Sequence, residues 1–472
     1  MRWVDFKESL SEFWSDFRRQ KSGLLGLLLL FLFIFIAVAA PIITSPDIPE
    51  RWQSFWLDNP KNVPPTWVNV FSGQTKAPHL IIEGENLQKL ITKTDSGYVI
   101  EVEYINEYDV PPQDIVIKDL SGETTGGKPS ITVIVKRPDN KEVTLIENYK
   151  FSGSLVLQLG THPQVRDNLL KWIKSEGIYI DPLQEFQYKT LMDATKVIFG
   201  KLNENILENP EPLKGTYKFT ILIKVPEGSS VSFDNAKVIF TGRTYGWLGT
   251  DFKGRDLLAG IIWGSRVSLV IGISVAVVSV LVGIFYGVTS AYLGGWSDEL
   301  MMRFQEFMAS IPSLPILILM GAYFGGHIKL WQIVVLLAIF GWVGIARVAR
   351  SMALQIKEQT YIEAARVLGA GTGRIIFKHM VPQLLPYAFA QMALSVPGAV
   401  LSEASLSYLG LGDPTAVTWG QILHDAQVAG AAVNGYWWWV IPPGLAIALV
   451  GLTFVLIGTA LDRVLNPRLR RL

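Results

Sequence analysis

Apolar residues in this chain gather into long blocks, and the first of them occupies residues 23–43. A helix of that length crosses a hydrocarbon layer of about 30 Å. Five more blocks follow at 267–286, 304–325, 330–348, 384–406 and 439–461, so the pattern predicts six transmembrane helices. Residues 44–250, between the first and second blocks, are polar and alternate. Ser130–Lys136 and residues 142–146 read as strands flanking a turn at Pro138, Asp139 and Asn140. Residues 217–225 and 236–241, rich in β-branched and aromatic side chains, read as further strands. Residues 162–177 fit one helix with Val165, Leu169, Leu170 and Ile173 on its buried side. The expected fold is an all-α polytopic membrane domain of six helices interrupted by a large β-rich domain. The expected divisions are 1–43 (N-terminus and first helix), 44–250 (inserted domain) and 251–472 (five-helix core).

Charge orients this arrangement. Arg18, Arg19 and Lys21 precede the first block, which places the N-terminus in the cytoplasm by the positive-inside rule. Arg347, Arg350, Lys357, Arg366, Arg374 and Lys378 share one connection, and Arg463, Arg468, Arg470 and Arg471 fall in the tail. Residues 407–438 contain no Lys or Arg. Six spans then put both termini and the loop 349–383 inside, and the β-rich domain outside. A cleaved signal peptide is the alternative for the first block, since Ala37 and Ala39 make an A-x-A site. The block is longer than a signal core of roughly 7–15 residues, and even topology needs it as a span.

With 49% hydrophobic residues in 472 and a mean hydropathy of +0.30, the chain is too apolar for an ordinary soluble protein and too polar to be membrane throughout. The net charge of +1 lacks the concentrated basic face expected of a nucleic-acid binder. Without cysteine there is no disulfide frame, thiolate metal site or cysteine nucleophile.

Enzyme signatures are thin. His79, His162, His327, His379 and His424 never fall at metal-ligand spacing, and no G-x-S-x-G elbow occurs, so no catalytic or metal-binding residue is assigned. Gly122, Gly127 and Lys128 imitate a phosphate-binding loop, but Pro129 stands where Ser or Thr is required and a strand follows. Inside the spans, Gly283 with Gly287 and Gly321 with Gly325 are small-xxx-small pairs that permit close helix packing. Pro312 and Pro315 interrupt the third block and read as a kink or a gating hinge. Glu403 is the notable intramembrane charge. These last three are the pathway or gating candidates.

The stretch 361–382, YIEAARVLGAGTGRIIFKHMVP, carries the functional signal. Tyr361, Ala364, Ala365 and Leu368 fall at i, i+3, i+4 and i+7, one apolar stripe of a helix. Gly369, Gly371 and Gly373 break it, and a second apolar run at Ile375, Ile376, Phe377 and Met380 is expected to stop at Pro382. The result is a short helix-turn-helix, an apolar knob rimmed by Arg366, Arg374 and Lys378. Glu363, Ala364, Ala365, Gly369 and Pro382 resemble the cytoplasmic coupling motif of ABC-importer permeases. His379 stands where that pattern has Ile, and Val381 where it has Leu; His is familiar there among dipeptide and oligopeptide permeases.

Other blocks extend the resemblance to C-type permeases for peptides and nickel: Leu248, Gly249, Thr250 and Asp251 with Gly254, Arg255 and Asp256; residues 404–412; Trp419 and Gly420; and Asn466, Pro467, Arg468, Leu469 and Arg470. It covers the first span and everything after about residue 245, while the long insert departs from a compact member. The resemblance implies a type I importer permease in a prokaryotic inner membrane, working by alternating access. Its implied partners are a homologous second permease, two ABC ATPases holding ATP and magnesium, and an extracytoplasmic solute-binding protein. Tyr361, Glu363, Ala364, Ala365, Leu368, Gly369 and Pro382 would couple to an ATPase. The implied cargo is peptide, with oligosaccharide or nickel as alternatives within the class. A membrane-anchored external binding or sensory protein is the reading from another class.

Overall fold

The computed structural model describes residues 13–124 and 126–465, so the tail block at Asn466, Pro467, Arg468, Leu469 and Arg470, with Arg471, lies outside the described residues. The chain forms two compact units. One is Trp56–Asp256, and the other joins Met1–Phe55 to Leu257–Leu472. The insert is therefore shorter at its start than the polarity pattern suggests, because residues 44–55 pack with the helices. The Trp263 indole donates to the Thr44 hydroxyl at 2.8 Å, and the Gln53 amide donates to the Pro414 carbonyl at 2.9 Å.

In the helical unit, five helices among the described residues are long and apolar enough to span a membrane: Lys21–Ile43, Leu257–Leu293, Leu330–Lys357, Thr372–Tyr408 and Trp437–Leu465. The third sequence block is broken where its prolines interrupt it. It forms two helices, Gly295–Ser310 and Ser313–Tyr323, bent by 74°. Pro312 lacks an N–H and disfavours helical backbone at Ile311, which is extended. Pro315 lies in the first turn of the second piece, where its missing N–H costs nothing.

Small residues set how closely the spans approach. A Cβ at Gly283 would sit 2.9 Å from the Trp342 carbonyl oxygen, and one at Gly287 would sit 2.3 Å from that of Ala346. Backbone of the second span thus lies directly on Leu330–Lys357. The other pair does not act this way. Gly321 faces Leu411, but Gly325 sits in a turn with φ +85° and open space around it. Residues 407–438 are not a free loop either. They contain a helix, Trp419–Val428, whose fully buried Trp419 lies against Gly264 and donates to the Ile261 carbonyl at 3.0 Å.

The inserted unit is built on two antiparallel sheets. The first runs β1 (Leu80–Glu83), β10 (Lys237–Thr241), β4 (Asp114–Thr124), β7 (Gly153–Gln158), with β9 (Ser229–Ser232) also on β4. The second runs β2 (Ile91–Thr94), β3 (Gly97–Asn106), β8 (Gly215–Lys224), β5 (Ser130–Lys136), β6 (Glu142–Lys150). Their apolar faces share one core, in which Tyr104 stacks on Phe240 at 4.3 Å. A helix at Pro163–Ser175 buries Val165, Leu169, Leu170 and Ile173. Arg137 is buried too, and fully occupied. It donates to the Val197, Ile198 and Gly200 carbonyls, pairs with Asp139 and lies over the Trp172 ring. The sham phosphate loop joins β4 to β5, with no helix N-terminus for an anion. Where the unit ends, the Asp251 carboxylate accepts from the backbone N–H of Lys253 and Arg255 and pairs with the Arg255 guanidinium. That makes the 249–256 block a locked turn.

Candidate coupling surface and pathway wall

The stretch 361–382 folds as a helix with one anchored side and one bare side. In Thr360–Val367, Ile362 is fully buried among Ala291, Ala353 and Met380. Among the described residues nothing covers the opposite side. Val367 and Leu368 are 81% and 86% exposed, Tyr361 is 42% exposed, and Glu363 and Ala364 are open as well. Ala365 is half-buried. The stripe Tyr361, Ala364, Leu368 is thus an outward apolar face. The helix is closed by a Schellman arrangement, in which the Gly369 N–H donates to the Arg366 carbonyl and the Ala370 N–H to that of Ala365, each at 3.0 Å. Gly369 takes φ +80°, the left-handed conformation that glycine adopts without penalty. Gly371 and Gly373 have ordinary backbone. Arg366, Arg374 and Lys378 are exposed around the knob, with Arg366 over the Tyr292 ring at 5.8 Å.

Pro382 corrects the expected stop. The chain runs from Thr372 to Tyr408 as one apolar span, with Pro382 in the first turn of Val381–Tyr408. In a regular helix the proline ring would strike the carbonyl four residues back. Here a π-helical stretch at Ile375–Met380 widens the turn, and the Val381 N–H reaches the Ile376 carbonyl five residues back. The stretch 361–382 is therefore continuous with a helix long and apolar enough to cross a membrane.

The same end of the unit holds a polar clamp. Arg350 bonds Asp298 with two guanidinium nitrogens, at 2.7 and 2.5 Å, and the Ser290 hydroxyl joins the same carboxylate. Lys357 donates to the Ala291 carbonyl at 3.0 Å, and Gln305 to that of Val343. These bonds fasten Gly295–Ser310 and Leu330–Lys357 to the second span, so the knob hangs from a braced helix.

Further along, four helices line an open cleft of about 650 Å³. Its polar groups are the hydroxyls of Ser279, Ser313, Ser395, Ser402 and Ser405 and the Gln391 amide, and no charged residue lines it. Ser395, Gly398, Ser402 and Ser405 follow helical spacing, a small polar stripe within an apolar block that could have been read from the sequence. Pro312 immediately precedes Ser313 and breaks the helix that brings it to the wall. Pro315 and Glu403 do not line it. Glu403 is 1% exposed, accepts from the Ser407 hydroxyl at 2.8 Å and has Thr418 as a second partner. It joins a membrane span to the helix at Trp419–Val428.

Comparison with known proteins covers both parts of the helical unit. The family described as "Binding-protein-dependent transport system inner membrane component" matches residues 279–471. The "N-terminal TM domain of oligopeptide transport permease C" matches residues 9–65. The dipeptide transport system permease protein DppC of Bacillus subtilis is 38% identical over 226 residues, 48% of this chain and 69% of the relative. The oligopeptide transport system permease protein OppC of the same organism is 37% identical over 226 residues, 48% of this chain and 72% of the relative. A solved chain of the inward-facing MetNI methionine ABC transporter aligns at TM-score 0.35 and 20% identity, over 43% of this chain and 97% of that one.

Proposed function

The chain belongs to the binding-protein-dependent inner-membrane permeases, and from that premise we propose that it forms one half of the translocation path of an ATP-driven peptide importer. The observation that carries the coupling role is the bare apolar face of Thr360–Val367 beside a buried Ile362. Val367 and Leu368 standing in water at the end of this helix mark a surface that a partner covers. Two ABC ATPases, one under each permease subunit, supply the socket and hold the ATP and magnesium. Closure of the ATPases pushes Thr360–Val367, and the brace at Asp298 and Arg350 passes the push to the spans.

Counting the bent pair as one crossing gives six spans and puts both termini in the cytoplasm, with Trp56–Asp256 outside. The missing Lys and Arg in 407–438 support this orientation. A homologous second permease completes the path, and a solute-binding protein delivers cargo from outside, with the inserted domain contributing to its docking.

Peptide is favoured over the alternatives by the wall and by the relatives. Hydroxyls and an amide suit the donors and acceptors of a peptide backbone, whereas nickel takes imidazole or thiolate ligands. An oligosaccharide would fit the same hydroxyls, but the relatives carry dipeptide and oligopeptide names. Uptake of a labelled peptide by vesicles containing the chain and its co-purifying partners decides the matter. ATP-dependent uptake, competed by unlabelled peptide and not by oligosaccharide or nickel, is expected. Competition by either of the latter alone would reassign the cargo, and absence of any ATPase partner would favour a membrane-anchored sensor.

A further inference from the structure

We propose that the second span carries a phospholipid site, with the lipid phosphate on Arg266 and the two acyl chains in the apolar grooves on either side of it. Arg266 is exposed on a membrane helix, and among the described residues no carboxylate pairs with it. Its guanidinium lies over the Trp263 ring at 5.1 Å, with no hydrogen-bond partner among the described residues. An unpaired cation on a span demands an anion or water, and a phosphodiester is the anion that a bilayer supplies.

The depth fits. The second span has 37 residues, about 55 Å at a rise of 1.5 Å each, so it overshoots a hydrocarbon core of about 30 Å by roughly 12 Å at each end. Arg266 stands about 13 Å along the axis from Leu257, which puts its side chain where hydrocarbon gives way to headgroups. Trp331, 64% exposed at the start of Leu330–Lys357, lies at the same groove and has the aromatic character of a membrane interface.

Two grooves meet at this one residue. The first, of about 530 Å³, runs between the second span and Leu330–Lys357, lined by Val267, Trp331 and Val334. The second, of about 480 Å³, runs between the second span and Lys21–Ile43, lined by Ile34, Val38 and Ile273. Arg266 lines both. One cation flanked by two apolar channels matches one phosphate flanked by two chains. In the orientation proposed above the lipid belongs to the outer leaflet, though binding itself requires only that these helices lie in a bilayer.

The test is native mass spectrometry of the complex purified with its partner subunits, delipidated in detergent and titrated with dioleoyl phosphatidylglycerol. The wild type should retain a lipid adduct that Arg266→Gln loses and Arg266→Lys keeps. Val38→Trp and Val334→Trp, which fill a groove and leave the cation, should each lower occupancy several-fold while the complex stays assembled. Glycerol phosphate and inorganic phosphate, lacking chains, should not displace the lipid. Equal adducts in wild type and Arg266→Gln would overturn the proposal, as would displacement by inorganic phosphate. So would cross-linking of Arg266→Cys to the second permease in a lipid-replete complex, since protein would then cover the site. Loss of peptide uptake with the lipid adduct unchanged would bear on the transport reading and leave this one standing.

Discussion

Replacing Gly369 separates the shape of the coupling loop from its bulk. A Cβ at this position would meet nothing within 4 Å, so volume inside the chain is not the obstacle. Backbone is. At φ +80° an L residue other than Asn or Asp carries a penalty of about 1–2 kcal/mol. Since each 1.4 kcal/mol is a factor of ten, Gly369→Ala should reduce the closed-to-open ratio of the loop about 5- to 30-fold and weaken docking of a partner that needs the closed form by up to that factor. Gly369→Asn, which tolerates left-handed backbone, should lose much less, and Gly371→Ala, where φ is −68°, should lose nothing. The assay is binding of the purified ATPases to the reconstituted permease, read beside peptide uptake per ATP hydrolysed. If Gly369→Ala binds and couples like the wild type, the left-handed turn does not matter to the coupling surface. If Asn is as damaging as Ala, space at the partner and not backbone strain is responsible.

The proposed topology predicts that a cysteine at Val433, 93% exposed, reacts with an impermeant thiol reagent in intact cells while one at Gly371 does not; Gln421, in the same connection, is 7% exposed and a poor reporter. Reversed labelling would invert the orientation. Residues 56–256 expressed alone should fold, and their stability should fall with acid. Burial pushes His79 down to about 4, so the folded state resists a proton that the unfolded chain takes up near 6.5, and stability is lost as pH drops from 6.5 to 4. Burial also raises Asp58, but Lys118 and Lys237 outweigh it and hold the carboxyl below its usual range, so Asp58 adds a loss of the same sign at lower pH. A melting temperature unchanged between pH 7 and pH 4 would contradict the His79 assignment, and one that falls no further below pH 4 would contradict that of Asp58. Asp298→Ala strips Arg350 of its partner and should cost about 1–3 kcal/mol, seen as earlier thermal unfolding of the purified permease; an unshifted melt would mean that the clamp is cosmetic.

Much of this architecture was legible because its signals are periodic. The first span, the strands at Ser130–Lys136 and Lys237–Thr241 and the helix burying Val165, Leu169, Leu170 and Ile173 all follow from local spacing. Readings based on one residue's local preference fared unevenly. Pro312 did break a span, whereas Pro382 did not, because a π turn upstream made room for its ring, and no local rule announces that turn. Glu403 reads as a lone charge although Ser407, one helical turn on, is its partner by spacing alone; Thr418 becomes a neighbour only when Trp419–Val428 folds back. The serine wall is legible in the sequence, since Ser395, Ser402 and Ser405 share a face at helical spacing. The Asp298 and Arg350 clamp is not, because 52 residues of chain separate its two halves.

Leu368→Asp tests the coupling claim most directly. The side chain is 86% exposed and buries nothing within the chain, so the variant should insert, melt and assemble with the second permease as the wild type does. A carboxylate in the middle of an apolar docking face has no such freedom. Quantitative mass spectrometry of proteins co-purifying with each chain should show the ATPases lost from Leu368→Asp and the second permease retained. ATPases recovered in equal amount with both chains would contradict the assignment of this helix as the surface through which ATP drives transport.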